Sequence, residues 1–246
     1  MGRCSLYQEG KIVNIEDSKW NNPYVRIVDN SYSEYNQILK QSFKEKNSSL
    51  PQELLQISGM SGSSYRKFIN NLVRNVNNPR YLEIGSWKGS TAAAAIYENK
   101  LTCVCIDNWS EFGGPKDEFK STIEQFANPE VDFTIIEYDF REVDYSDIGK
   151  FNIFMFDGPH KEKDQYDGIV LPYESLDDVF ILIVDDWNWS SPRKGTQKAI
   201  ADLNLEVLCS IEVFTKHNSG DETDIPDRIF EDSLWHNGYF IGVCKK

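Results

Sequence analysis

Residues 81–91 read Tyr81-Leu82-Glu83-Ile84-Gly85-Ser86-Trp87-Lys88-Gly89-Ser90-Thr91, and four alanines follow directly. A short, mostly apolar run enters a glycine turn, and a second glycine precedes two hydroxyl residues and a strong helix former. The stretch is therefore a strand, a tight turn and a helix start. Gly85 permits a positive φ or a close backbone approach. Gly89 lets the helix begin beside the strand, and Ser90 and Thr91 can cap it. A dinucleotide fingerprint would place a second glycine where Trp87 stands. A nicotinamide-dependent oxidoreductase, the alternative enzyme on this topology, is disfavoured on that ground.

Outward from this turn, apolar runs alternate with helical patterns, the mark of a parallel sheet with crossover helices. Strands are expected at Tyr81–Ile84, Leu101–Ile106, Phe133–Glu137, Phe151–Phe156 and Val179–Val184, all covered on both faces because their apolar character is continuous. Helices are expected at Ser90–Asn99, Pro115–Ala127, Lys161–Leu171 and Pro192–Leu203. Leu205–Phe214 and Tyr239–Cys244 read as two further strands joined by a long polar connection, which allows antiparallel pairing. Before Arg80 the sequence shows no strand alternation. Tyr65, Phe68, Ile69, Leu72, Val73 and Val76 recur at helical spacing, and Tyr32, Tyr35, Leu39 and Phe43 suggest another helix. The expected fold is α/β: a Rossmann-like seven-stranded sheet, five parallel strands plus a C-terminal antiparallel pair, with an N-terminal helical cap.

The chain has 246 residues and a net charge of −13, from 26 Lys and Arg against 39 Asp and Glu. This balance argues against nucleic-acid binding, which needs a basic face, and against docking on an anionic membrane. Hydrophobic residues make up 40%, enough for a sizeable core. No apolar run approaches a spanning helix, and the N-terminus lacks a signal-peptide pattern. Met1-Gly2-Arg3-Cys4-Ser5-Leu6 departs from a myristoylation signal at Leu6. The five cysteines, Cys4, Cys103, Cys105, Cys209 and Cys244, have no disulfide spacing, so a reducing, cytoplasmic location is expected.

The glycine loop resembles motif I of class I S-adenosylmethionine (SAM)-dependent methyltransferases. The variant is that of the catechol and caffeoyl-CoA O-methyltransferases, Glu-x-Gly-x-x-x-Gly-x-Ser/Thr, matched here by Glu83, Gly85, Gly89 and Thr91. The resemblance implies that Glu83 reaches the amino-acid end of the cofactor and that the glycines admit its backbone, with Ser86, Trp87 and Ser90 completing the loop.

Acids recur at the following strand ends. Asp107 lies 24 residues beyond Glu83 and suits the ribose hydroxyls. Asp139-Phe140 follows the third strand, where this family holds the adenine, although Asp139 also suits a turn. Asp157-Gly158-Pro159-His160 follows the fourth strand and Asp185-Asp186-Trp187 the fifth. In an open α/β sheet these ends share one rim. Crowded carboxylates raise one another's pKa unless cations sit among them. The sulfonium and ammonium of SAM would supply positive charge there, and so would a divalent ion held by Asp157, Asp185 and Asp186. Hard oxygen donors suit Mg²⁺ or Mn²⁺. His160 is the candidate base, with Asp157 beside it in the catalytic pair; a capping or exposed His at a helix start is the other reading.

Asp-Gly-x-His at the fourth strand with Asp-Asp at the fifth resembles the metal-dependent sugar O-methyltransferases of macrolide tailoring. Gly59-Met60-Ser61-Gly62, ahead of a helix ending in Asn70-Asn71-Leu72, is similar to the lead-in of that wider family. The resemblance spans residues 58–246, the expected methyltransferase domain, and leaves 1–57 as an N-terminal extension. It implies a small-molecule hydroxyl acceptor, with a sugar favoured. A homodimer is the default assembly, and a non-catalytic cofactor-fold protein is the remaining alternative. Trp87, Trp109, Trp187 and Trp189 could wall the pocket or fill the core. Arg193 and Lys194 could meet an acidic substrate or open a helix in solvent. His217 and His236 read as surface residues, and Asp221, Glu222, Asp224 and Asp227 as a solvated loop. Asn21-Asn22-Pro23-Tyr24 only faintly resembles the motif of amino-directed DNA methyltransferases.

Overall fold

The alternation that begins at Arg80 builds one mixed sheet with helices on both faces. The computed structural model describes residues 24–29, 33–215 and 232–246. The readings made above for Cys4, for residues 21–23, for Tyr32, for His217 and for the acids at 221–227 fall outside them. The elements are β1 (Tyr24–Asp29), α1 (Glu34–Lys44), α2 (Gln52–Leu55), α3 (Ser63–Asn75), β2 (Arg80–Ile84), α4 (Ser90–Ile96), β3 (Leu101–Ile106), α5 (Lys116–Gln125) and β4 (Val131–Ile136). There follow β5 (Phe151–Phe156), α6 (Glu162–Val170), β6 (Leu176–Val184), α7 (Ser190–Asp202), β7 (Glu206–Phe214), α8 (Asp232–Trp235) and β8 (Tyr239–Lys245). A 3₁₀ turn over Leu171–Ser175 carries Pro172 where the helical pattern stops.

The strand order is β1-β7-β8-β6-β5-β2-β3-β4. The five strands β6-β5-β2-β3-β4 are parallel, whereas β8 pairs antiparallel with both β6 and β7. The α/β class and the antiparallel C-terminal pair are as the sequence indicates. The sheet has eight strands among the described residues rather than seven, because Tyr24–Asp29 adds antiparallel to β7. This segment lies in a region read as helical. Its strand state comes from pairing with the edge of β7, which would otherwise present unpaired backbone groups. The expectation that all five parallel strands are covered fails for β4, where Asp132, Thr134 and Ile135 are exposed, because β4 is the other edge.

Along the central strands side chains alternate between two cores, as the pleat requires. Tyr81, Cys103, Cys105, Ile153, Met155, Ile181 and Ile183 face the side that α1, α3 and α4 cover. Leu82, Val104, Phe154, Phe156, Leu182 and Val184 face the side of α6 and α7. The first core also takes in Ile27, Leu39, Phe43 and Leu54, so the N-terminal elements pack on the sheet through apolar contacts.

Polar side chains fix how α3 docks. Asn70 donates to the carbonyls of Ala94 (3.0 Å) and Tyr97 (2.9 Å), satisfying the open C-terminal end of α4. Asn71 holds the carbonyls of Glu45 and Asn47. Buried Arg66 donates to the carbonyls of Leu54, Leu55 and Ile57 and, through Nε, to Ser61 Oγ at 3.0 Å. Ser61 in turn meets Ser90 Oγ at 3.0 Å. The lead-in to α3 is thereby tied to the first turn of α4.

Because Leu39 is fully buried in the core shared with the sheet, Leu39→Ala is expected to lower global stability by roughly 2–5 kcal/mol while keeping a single unfolding transition. Calorimetric melting checks this; a separate low-temperature transition for the N-terminal elements would contradict it.

Candidate active site

The strand order reverses between β2 and β5, and the crevice at their carboxyl ends is where an open α/β sheet takes its ligands. A cavity of about 370 Å³ lies there, in the size range of small-molecule sites. Its walls come from the tips of β2, β3, β4 and β5, together with Met60 and Ser61 of the lead-in. Of the nine residues expected at the cofactor, Glu83, Gly85, Ser86, Trp87, Ser90, Asp107, Asp139 and Phe140 line this cavity.

Gly89 is the exception. It has φ +78°, and a Cβ there would come within 2.9 Å of the Phe119 ring. Its role is to start α4 close against α5. Gly85 has φ +90°, and an added Cβ would sit 1.9 Å from the Asp157 carbonyl oxygen. Only glycine lets the tips of β2 and β5 meet. Trp87 adopts φ +41°, an uncommon conformation for a bulky residue, where the dinucleotide loop would have glycine.

Glu83 is 1% exposed. Its Oε2 accepts from Tyr81 Oη at 2.5 Å, while Oε1 is buried without a hydrogen-bond partner. Burial pushes its carboxyl up to about 7, against the pull of the Tyr81 hydroxyl. An orphaned acceptor on a cavity wall fits a cationic or hydrogen-bond-donating group of a ligand.

Asp107 holds two loops at once, accepting from Trp87 N (2.8 Å) and Trp109 N (2.6 Å), one on each oxygen. Each oxygen keeps a further lone pair for a ligand hydroxyl. Trp109 Nε1 donates to the Trp87 carbonyl at 2.8 Å, so the two aromatic residues are locked together. Asp139 accepts from Arg141 N at 2.9 Å and pairs with its guanidinium, which also reaches Asp164. It therefore serves the turn while standing on the wall. Phe140 is buried against Phe156.

Of the remaining acids, Asp157 stands on the cavity wall and Asp185 and Asp186 lie behind it. Asp157 and Asp185, just past the tips of β5 and β6, act on one another electrostatically. Burial first, then the charges of Asp185 and Asp186, push Asp157 well above the usual carboxylate range. Burial and Asp186 do the same to Asp185. Carboxyl groups that raise one another in this way are relieved by a proton or a cation among them. Asp185 and Asp186 are each 4% exposed, behind the cavity wall rather than on it. Asp186, at φ +54°, accepts from Asn237 Nδ2 on Oδ1 (2.5 Å) and lies 3.1 Å from His160 Nε2 through Oδ2. His160 lines the cavity and packs edge-on to Trp189.

Sequence reading missed two residues. His236 brings a ring nitrogen into a group with Asp185 and Asp186 in which all ligand atoms lie within 4.8 Å of one another. Asn237 is buried against Asp186. Both immediately precede β8, whose antiparallel pairing with β6 (Val184 opposite Phe240) returns the chain to the same rim. Trp187 is core, with Nε1 donating to Glu212. Arg193 donates to the carbonyls of Trp187 and Asn188, bracing the acidic turn, and Lys194 is exposed. Among the described residues no helix is long and apolar enough to cross a membrane.

No protein-family model and no curated protein matches the sequence. Solved structures share its fold. The O-methyltransferase TomG of Streptomyces achromogenes, involved in tomaymycin synthesis and solved with SAM, is 14% identical, matching 88% of this chain and 92% of its own at a TM-score of 0.50. The methyltransferase PaMTH1 of Podospora anserina, solved with S-adenosylhomocysteine (SAH), is 14% identical over 88% of this chain and 89% of its own, also at 0.50. A candidate SAM-dependent methyltransferase from Streptococcus mutans is 13% identical over 74% of this chain at 0.50; the chain spans about half of that protein, 48%. At such identities the likeness establishes the Rossmann-like fold that these methyltransferases share.

Glu83 has a folded-state pKa of about 7 against an ordinary 4.5. Its neutral form stabilises the fold fully below about 4.5, and that stability is lost as pH rises through about 7. Glu83→Gln is therefore expected to match the parent at pH 4 and to exceed its stability at pH 8 by on the order of 3 kcal/mol. Urea titrations across that range check this; an equal or lower stability of the variant at pH 8 would contradict it.

Proposed function

We propose that this protein is a SAM-dependent O-methyltransferase acting on a small-molecule hydroxyl, a sugar being favoured by the motif resemblance, with assistance from Mg²⁺ or Mn²⁺. The observation that carries this reading is one cavity lined by Glu83, Gly85, Asp107 and Phe140 together with Asp157 and His160. The shared methyltransferase fold supports it.

The cofactor would contribute a methyl group activated on a sulfonium. The chain's own residues do the rest. Orphaned Glu83 Oε1 and the spare lone pairs of Asp107 would bind the amino-acid end and the ribose. The two loops carrying Trp87 and Trp109 are already fixed by Asp107, so little ordering remains on binding. Asp157, Asp185 and Asp186 would hold a divalent ion, which supplies Lewis-acid lowering of a hydroxyl pKa. Buried Asp185 and Asp186 beside half-buried Asp157 make an all-oxygen donor set that such an ion would satisfy. His160 is oriented by Asp186. Nε2 lies 3.1 Å from an oxygen of that carboxylate, so Nδ1 is the nitrogen that would accept the acceptor's proton. Displacement at carbon demands alignment of oxygen, methyl and sulfur, so positioning supplies most of the rate.

Calorimetric titration with SAH and with NAD separates this reading from an oxidoreductase; SAH binding and no NAD binding are expected. With a labelled-methyl assay on a panel of hydroxyl acceptors, Asp185→Ala is expected to abolish divalent-dependent turnover and leave SAH affinity within about twofold. His160→Gln is expected to lower kcat by roughly 10²–10⁴-fold. Turnover that survives both Asp185→Ala and chelation would overturn the metal role. SAH binding with no transfer to any acceptor would favour a non-catalytic protein.

A further inference from the structure

We infer that His236 is a metal ligand, so that the ion site beside the cavity is a mixed nitrogen–oxygen site selecting a first-row transition ion of the Mn²⁺ or Fe²⁺ kind over Mg²⁺. The inference rests on the proposed divalent site and deepens it.

Three side chains from two distant stretches, Asp185, Asp186 and His236, bring one ligand atom each to within 4.8 Å of one another. The backbone holds them there. Trp187 N donates to the Gly238 carbonyl at 3.2 Å and Asn188 N to the Asn237 carbonyl at 2.9 Å, so the turn before β8 is zipped to the turn after β6. Thr215 Oγ1 donates to the His236 carbonyl, and Asn188 in turn bonds Thr215 through both its amide groups. The imidazole therefore belongs to a braced segment.

The surroundings also suit an ion. Asn237, 4% exposed, donates to Asp186 and leaves its own amide oxygen buried without a partner at the edge of the group. Asp186 accepts from Asn237 on Oδ1 and has Oδ2 3.1 Å from His160 Nε2, so each oxygen keeps a lone pair for a further partner. Those two contacts orient the carboxylate as outer partners of metal ligands do. His160 is thus an outer partner of Asp186, and His236 is the nitrogen donor. An imidazole in the set lowers the preference for Mg²⁺, which takes oxygen, and raises it for transition ions.

The test uses the full chain, stripped with chelator and loaded with Mn²⁺, and reads pulsed electron paramagnetic resonance with no turnover required. Unlabelled protein is expected to show coupling of Mn²⁺ to a directly bonded ¹⁴N, and ¹⁵N-histidine labelling should convert it. That measurement needs no variant to fold. His236→Gln should abolish the coupling and weaken Mn²⁺ binding about tenfold or more, with a smaller effect on Mg²⁺. His160→Gln should retain the coupling. Bound Mn²⁺ without nitrogen coupling, coupling that vanishes in His160→Gln but persists in His236→Gln, or no Mn²⁺ binding would each overturn the inference. Failure of SAH to bind would instead count against the methyltransferase reading and leave the ion result standing.

Discussion

Negative charge gathered at the carboxyl ends of β5 and β6 is the constraint on which the site depends. Asp185 and Asp186 are buried, and Asp157, half-buried on the cavity wall, is coupled to both electrostatically. Left uncompensated, such charges destabilise the fold. Their burial is tolerable when a proton or a cation joins them, so the chain has built a place where positive charge is strongly favoured. Glu83, one strand away, extends the same field into the cavity.

Rigid scaffolding makes that arrangement specific. Gly85 allows β2 and β5 to approach until their tips touch, so the glycine loop and Asp157 share a wall. Asp107 clamps Trp87 to Trp109. Arg66 ties the lead-in of α3 to Ser61 and, through it, to Ser90. Arg193 braces the turn that carries Asp186. Each of these polar braces is a hydrogen bond between a side chain and backbone or a hydroxyl, so the geometry is preset rather than assembled by the ligand.

The sequence made legible whatever local chemistry determines. Gly85, Asp107 and the Asp157 and Asp185 tips could be placed because strand-end acids in a parallel sheet must share a rim. Other features depend on partners distant in the chain. The strand at Tyr24–Asp29 exists because β7 offers an edge, and the exposure of β4 follows from its position at the other edge. Gly89 packs on Phe119 rather than facing the cavity, a distinction that spacing does not encode. His236 read as a surface residue because it lies in a polar stretch far from the acids. The usable signal was topological: if β8 runs antiparallel beside β6, the residues just before it must lie against the tip of β6.

The most direct test of charge compensation is a crystal structure with SAH and Mn²⁺, with anomalous scattering collected to locate the metal. The account predicts a manganese peak bridging Asp185 and Asp186, with the SAH ribose on Asp107. A nucleotide pocket filled in that way, but with Asp157 and Asp185 joined only by a shared proton and no manganese near them, would contradict it.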